Sequence, residues 1–140
     1  MSVVGAETLI PVLEDLEAYE EQATAQNEKE ASYSAKITKE MAEIDWSSEA
    51  VVIERLIRTL DPQPGAYTMF EGKRLKIWSA DVVPGNDAAP GTILAVTKKY
   101  FTVQTGKDAI CIREVQPESR KRMASAQFLQ GCKMNLGDRI

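Results

Sequence analysis

Histidine is absent from all 140 residues, and only Cys111 and Cys132 carry thiols. That composition excludes Ser-His-Asp and Cys-His nucleophilic sites and removes the usual imidazole base of acyl transfer. Zinc loses its commonest nitrogen ligand, and two cysteines are too few for a thiolate cage. No G-x-G-x-x-G or P-loop is present. Carboxylates could still serve as acid and base, but they crowd into the front third, which reads as a solvated stretch. No catalytic residue, metal site or cofactor site is therefore expected in this chain. What remains is cation chemistry. Lys73, Arg74 and Lys76 form one cluster, and Arg120, Lys121 and Arg122 form a second. Arg58 and Lys98 follow in rank, then Lys36 and Lys39. A guanidinium can grip a phosphate through two parallel N–H bonds, while an ammonium gives a less directional charge.

These cations must be positioned by small, turn-rich elements. Residues 62–78, PQPGAYTMFEGKRLKIW, read as a rigid corner, an aromatic strand, a Glu-Gly turn and a basic second strand. Proline fixes φ twice, Gly65 relieves the corner, and Gly72 supplies the positive φ of a tight hairpin turn. Strands are expected near 66–70, 73–83, 91–97, 100–104 and 109–115, with Lys98 in the turn after the third. Before them, Ser47 is the expected cap of a helix burying Val51, Val52, Leu56, Ile57 and Leu60, which Asp61-Pro62 ends. After them, a helix is expected from Ser119 to about Gln130, stopping at Gly131, with Leu136 and Ile140 tucked against the barrel. Tyr67 and Trp78 are read as packing residues in preference to base-stacking ones, and Trp46 as an anchor for the preceding linker. The reading is mainly β with flanking helices: a small OB-like Greek-key β-barrel preceded by a helix and linker.

The front of the chain differs in kind. Leu9, Leu13 and Leu16 give residues 4–20 a helical stripe, with a kink or a start near Ile10 imposed by Pro11. Residues 21–34 are polar and aperiodic, and Thr38 is placed to cap a short turn running to Glu43. Net charge is −8 over residues 1–45 and +4 over residues 46–140, giving −4 overall. A split of this kind separates an acidic region from one that can attract a polyanion. No run of ~18 apolar residues occurs, so no membrane span is expected. The N-terminus lacks the basic start of a signal peptide, and two cysteines cannot form a disulfide framework, which together read as cytoplasmic.

Four segments, AKITKEMAEIDWS (35–47), LIRTLDPQPGAYTMFEGKRLKIWSADVV (56–83), PGTILAV (90–96) and REVQPESRKRMASAQFLQG (113–131), resemble the C-terminal domain of the bacterial methionyl-tRNA formyltransferases. The closing GDRI is similar too. One departure is plain: Gln63 stands where the family usually has tryptophan between the two prolines. The resemblance implies a helix from the end of the catalytic-domain region at 1–20, an interdomain linker at 21–44, and a tRNA-binding barrel at 45–140. It implies a catalytic domain before residue 1, which would use 10-formyltetrahydrofolate to formylate methionyl initiator tRNA. The partners implied are that tRNA and that domain. Arg58, Lys73, Arg74, Lys76, Lys98, Arg120, Lys121 and Arg122 would then be RNA-binding. A related enzyme acting on a small molecule, or a generic OB-like interaction module, is the alternative.

Overall fold

The computed structural model describes residues 2–33 and 36–140. Met1, Ser34 and Ala35, which belong to the expected 1–20 and 21–44 segments, lie outside the described residues. The chain divides into two units, Met1–Lys36 and Ile37–Ile140, a boundary that falls inside the expected linker. Among the described residues no helix is long and apolar enough to cross a membrane.

In the first unit, α1 (Ser2–Glu14) runs through Pro11 and α2 spans Leu16–Glu21. The break falls at Asp15 and not at the expected Ile10. Asp15 leaves helical geometry at φ −141° and its side chain accepts a bond from the Ala18 amide at 3.4 Å. An aspartate that caps a new helix competes well with continuing the old one. A 3₁₀ turn at Glu28–Glu30 interrupts the polar stretch that follows.

The second unit opens with a 3₁₀ turn, Glu40–Ala42, and then α3 (Ala50–Thr59). Thr38 bonds the Glu40 carboxylate and helps hold it below the usual glutamate range. Ser47 is not the helix cap: Glu49 takes that position without a side-chain cap bond. Instead Asp45 gathers the Ser47 amide at 2.9 Å and the Ser47 hydroxyl at 2.6 Å. The loop is thus consumed in an Asx turn, and the cap falls two residues later than expected. Its buried stripe is Ala50, Ile53, Ile57 and Leu60; Val51 and Val52, expected inside, are exposed. With Ile53, Ile57 and Leu60 packed on the sheet, the 3.6-residue period turns the two valines out.

Six antiparallel strands follow: β1 (Ala66–Phe70), β2 (Lys73–Val83), β3 (Ile93–Val96), β4 (Phe101–Gln104), β5 (Ala109–Pro117) and β6 (Met123–Ala124). They form one sheet in the order β1-β2-β5-β4-β3, with β6 also pairing with β5. The expected barrel is not closed. Among the described residues no ladder joins β1 to β3, and irregular chain covers both edges. The Ile44 amide donates to the Tyr67 carbonyl at 2.8 Å on the β1 side. On the β3 side the Ile93 amide donates to Asp138 at 2.9 Å, and Ile140 to Gly91 at 3.0 Å. Covered edges avoid the exposed strand that invites aggregation, so closure is not required.

The core lies between α3 and the sheet, where Ile53, Ile57 and Leu60 meet Leu75, Ile77, Phe101, Ile110, Ile112 and Val115. Trp46 is 8% exposed, and its indole N–H donates to Thr68 Oγ1 at 3.1 Å, pinning the segment before α3 to β1. The last helix, α4 (Ser125–Gly131), begins after the basic triplet and not with it. Pairing of Glu114 with Ala124 and Val115 with Met123 draws those residues into β6. Ile140 packs on the core, whereas Leu136 is exposed, contrary to expectation.

Candidate nucleic-acid interface

The β1–β2 hairpin is built as its residue types require. Glu71 and Gly72 have φ of 50° and 74°, two successive positive values that mark a type I′ turn. The turn aligns Phe70 with Lys73 and Met69 with Arg74, so that Lys73 and Arg74 lie exposed at the start of β2. Arg74 lies over the Tyr67 ring, its guanidinium carbon 4.3 Å from the centroid. Tyr67 in turn donates to Glu43 at 3.2 Å. Burial first, then that bond, pushes the Tyr67 phenol up from its usual range, so it stays neutral beneath the cation.

Further along, at Trp78, β2 bulges. Ile77 pairs with Val115 and Ser79 with Glu114, which leaves Trp78 as the extra residue. Its indole is 8% exposed, yet it stands apart from the main core cluster. It is sandwiched on the corner side by Gly65, where a Cβ would come within 2.5 Å of the ring. Lys76 Nζ lies 5.5 Å from the ring centre and Arg122 5.2 Å from it. The indole N–H donates to Gln116 Oε1 at 3.1 Å, and Gln116 Nε2 donates to the Arg120 carbonyl at 2.8 Å. Trp78 is thus the post on which the Pro-Gln-Pro-Gly corner and the β5–β6 turn both rest.

The eight expected RNA-binding residues divide into several environments. Lys73, Arg74 and Arg120 line one cavity of about 400 Å³, reached from β2 and from the β5–β6 turn. Lys133, which the sequence reading overlooked, joins them from the segment after α4. Phe70, Leu75, Met123 and Phe128 supply the apolar part of the lining, and Glu71 and Glu118 its carboxylates. Arg74 also borders a second groove, with Lys39, Gln63, Lys76 and Trp78. There Lys76 is half-buried and donates to the Pro64 carbonyl at 2.7 Å, holding the corner closed. Lys98 sits apart in the β3–β4 turn, meeting Lys133 across a third groove. Lys121 is exposed in the β5–β6 turn, and Arg58 pairs with Glu54 at 3.7 Å along α3.

Arg122 behaves differently from its two neighbours. Its guanidinium donates to both Asp61 oxygens, at 3.2 and 2.9 Å, and to Glu114. Glu114 above all, then Asp61, hold its proton more firmly than usual. Among the described residues, Lys73, Arg74, Arg120, Lys121 and Lys133 take part in no ion pair. Four of these unpaired cations, Lys73, Arg74, Arg120 and Lys133, therefore share the lining of one cavity, while Arg122 is a structural tie between the corner and β5. Lys133 stood outside any basic run in the sequence. Its only signal was its place just past the helix stop at Gly131.

Comparison with known proteins agrees with this architecture. Residues 36–133 match the family described as "Formyl transferase, C-terminal domain". A methionyl-tRNA formyltransferase of Agathobacter rectalis is 43% identical over 138 residues, covering 98% of this chain and 44% of that protein. One from Caldanaerobacter subterraneus subsp. tengcongensis is 42% identical over 130 residues, covering 91% of this chain and 41% of that protein. The chain thus spans a little under half the length of the curated relatives it matches. Among solved structures, a variant of HypX from Aquifex aeolicus superposes with a TM-score of 0.60 at 25% identity, over 84% of this chain and 22% of that one. HypX in complex with tetrahydrofolic acid superposes with a TM-score of 0.61 at 22% identity, over 92% and 26%, a likeness of fold alone. By its matched residues and its order of elements, the chain belongs to the formyl transferase C-terminal domain family.

Proposed function

We propose that this chain is the tRNA-gripping C-terminal domain of a methionyl-tRNA formyltransferase. The observation that carries the reading is the set of unpaired cations around one cavity, Lys73, Arg74, Arg120 and Lys133, on a domain of this family. Lys121 lies exposed beside Arg120 in sequence, and Lys98 shares a neighbouring groove with Lys133. Lys76, Arg122 and Arg58, each engaged within the fold, support the surface more than they contact RNA. The catalytic domain of the parent enzyme would transfer the formyl group of 10-formyltetrahydrofolate to methionyl initiator tRNA in the cytoplasm. This domain would hold the tRNA so that its aminoacyl end reaches that distant site. Remote binding of this kind lowers a barrier by positioning, without contact with the reacting atoms.

The test is a titration of the 140-residue chain with initiator and elongator tRNA at 50 and 200 mM salt. Five neutralised phosphates give a slope of log K against log salt of about −3.5 to −4.5. Lys73→Ala and Arg120→Ala should each reduce that slope by about one, and Arg58→Ala should leave it unchanged. A slope insensitive to both changes overturns the surface. A domain serving a small-molecule enzyme would show no salt-dependent tRNA binding at all.

A further inference from the structure

The cavity framed by Lys73, Arg74, Arg120 and Lys133 is more than a charged rim. Its volume, about 400 Å³, falls within the range of small-ligand sites, and its lining changes character with depth. Phe128 and Met123 are both half-buried and line it. Phe128 is fixed by its neighbours: its ring centre lies 6.4 Å from Phe70 at 73° and 6.3 Å from Phe101 at 45°. An aromatic ring held rigidly on its core side, and bordering a cavity on the other, offers a platform for a planar partner. Phosphate backbone alone uses only the cations and leaves such a floor unexplained.

We propose that this cavity takes one unpaired nucleotide of the bound RNA. Its phosphate lies among the four cations and its base on Phe128 and Met123. Bases splayed out of single-stranded ends and loops are recognised in this way, by stacking on aromatic side chains beside a cationic track. The two carboxylates in the lining, Glu71 and Glu118, fit the same ligand, because a base presents N–H donors that a carboxylate can accept. Four cations against two carboxylates keep the site attractive to a single phosphate. An acidic peptide matches the cations but has no ring for the floor, and it adds negative charge beside Glu71 and Glu118. Recognition of one unpaired nucleotide would give this domain a register on the RNA that backbone contacts cannot supply. The inference rests on the RNA-binding reading above.

The experiment uses the intact 140-residue chain and compares adenosine 5′-monophosphate with ribose 5-phosphate, monitored by backbone amide shifts. The nucleotide is expected to bind at least about fivefold more tightly, the smallest factor that one stacked base supplies. It should also slow alkylation of Cys132, which lines the cavity, whereas the buried Cys111 gives no background. Phe128→Leu should bring the two ligands to equal affinity and leave the salt slope of tRNA binding in place. If that variant does not fold, the comparison on the unaltered chain decides alone. Equal affinities there, with salt-dependent tRNA binding intact, overturn the nucleotide site and spare the RNA-binding reading. Absence of tRNA binding overturns both. Displacement of the nucleotide by hexaglutamate at comparable concentration overturns it in favour of an acidic protein partner.

Discussion

Gly65→Ala is the most informative single change, because it separates backbone strain from contact. Gly65 has φ of +82°, and a Cβ built there meets Trp78 carbons at 2.5, 3.0 and 3.0 Å. Gly72, in the hairpin turn, has φ of +74° with no atom within 4 Å of a Cβ. Both substitutions place an L-residue in the left-handed region, at about 1–2 kcal/mol. Only Gly65→Ala must also push the indole aside, and overpacking of this kind costs about 1–3 kcal/mol. The expected destabilisation is therefore about 2–5 kcal/mol at Gly65 and about 1–2 kcal/mol at Gly72. For a domain near 100 residues that corresponds to a Tm lowered by roughly 10–30 °C and roughly 4–15 °C. Urea unfolding followed by tryptophan fluorescence measures both, with an unchanged m-value as the check on two-state behaviour. Trp78→Leu completes a double-mutant cycle: in that background the extra cost at Gly65 should vanish, a coupling of about 1–3 kcal/mol. If the two alanine variants are equally stable, or if the cycle shows no coupling, then Trp78 is not the support of the corner and the account of the hairpin's placement fails.

Two further changes probe other joints. Gly106→Ala would place a Cβ 1.8 Å from the Ser47 carbonyl oxygen, against backbone that cannot swing away. Loss of at least about 3 kcal/mol is expected, seen as poor expression or a shifted urea midpoint, and a near-neutral outcome would refute the packing of that turn on the loop before α3. Asp45→Asn tests the acid limb of stability. Bonds from the Ser47 hydroxyl, then the Ser47 amide, hold the Asp45 carboxyl below its ordinary value near 3.8. A depressed carboxyl stabilises the fold fully above that ordinary value and loses its contribution as pH falls through the folded one. The gap between wild type and Asp45→Asn should accordingly be constant above about pH 5 and close below pH 4 in acid titrations followed by circular dichroism. A gap that persists at pH 2 would refute the role of the ionised carboxylate.

Much of this was legible because local chemistry decided it. Proline, glycine and the Glu-Gly pair placed β1 and β2 where the sequence put them, at Ala66–Phe70 and Lys73–Val83. The motifs also pointed to the family before any fold was in hand. Errors came where two local preferences competed. Ser47 is a good cap, but Asp45 claims it, and the helix starts late with its stripe rotated. Arg120-Lys121-Arg122 looked like the first turn of a helix, yet Ser119 adopts φ of +59° and the chain turns into β6 instead. Closure of the sheet was not legible, because edge pairing depends on where the loops and the tail lie. Within the candidate site, Lys133 was missed because no neighbouring cation advertised it.

The division among the basic residues has a physical cause that charge counting cannot reveal. A phosphate competes for a cation only with what the cation already holds. Arg122 holds two carboxylates, and its side chain is 43% exposed, so the pairs are partly screened. Each exposed pair is worth little alone. Together they still present a bidentate partner that an incoming phosphate would have to displace, leaving Asp61 and Glu114 uncompensated beside it. Lys76 likewise gives its ammonium to Pro64. Lys73, Arg74, Arg120 and Lys133 hold no acid, so an incoming phosphate displaces only water and counterions. Three engaged cations, Lys76, Arg122 and the Arg74 that lies on Tyr67, fix the corner, the bulge and the hairpin face in place. Of these only Arg74 keeps its donors free, which makes it the residue where the fold's internal ties and the proposed RNA-binding surface meet.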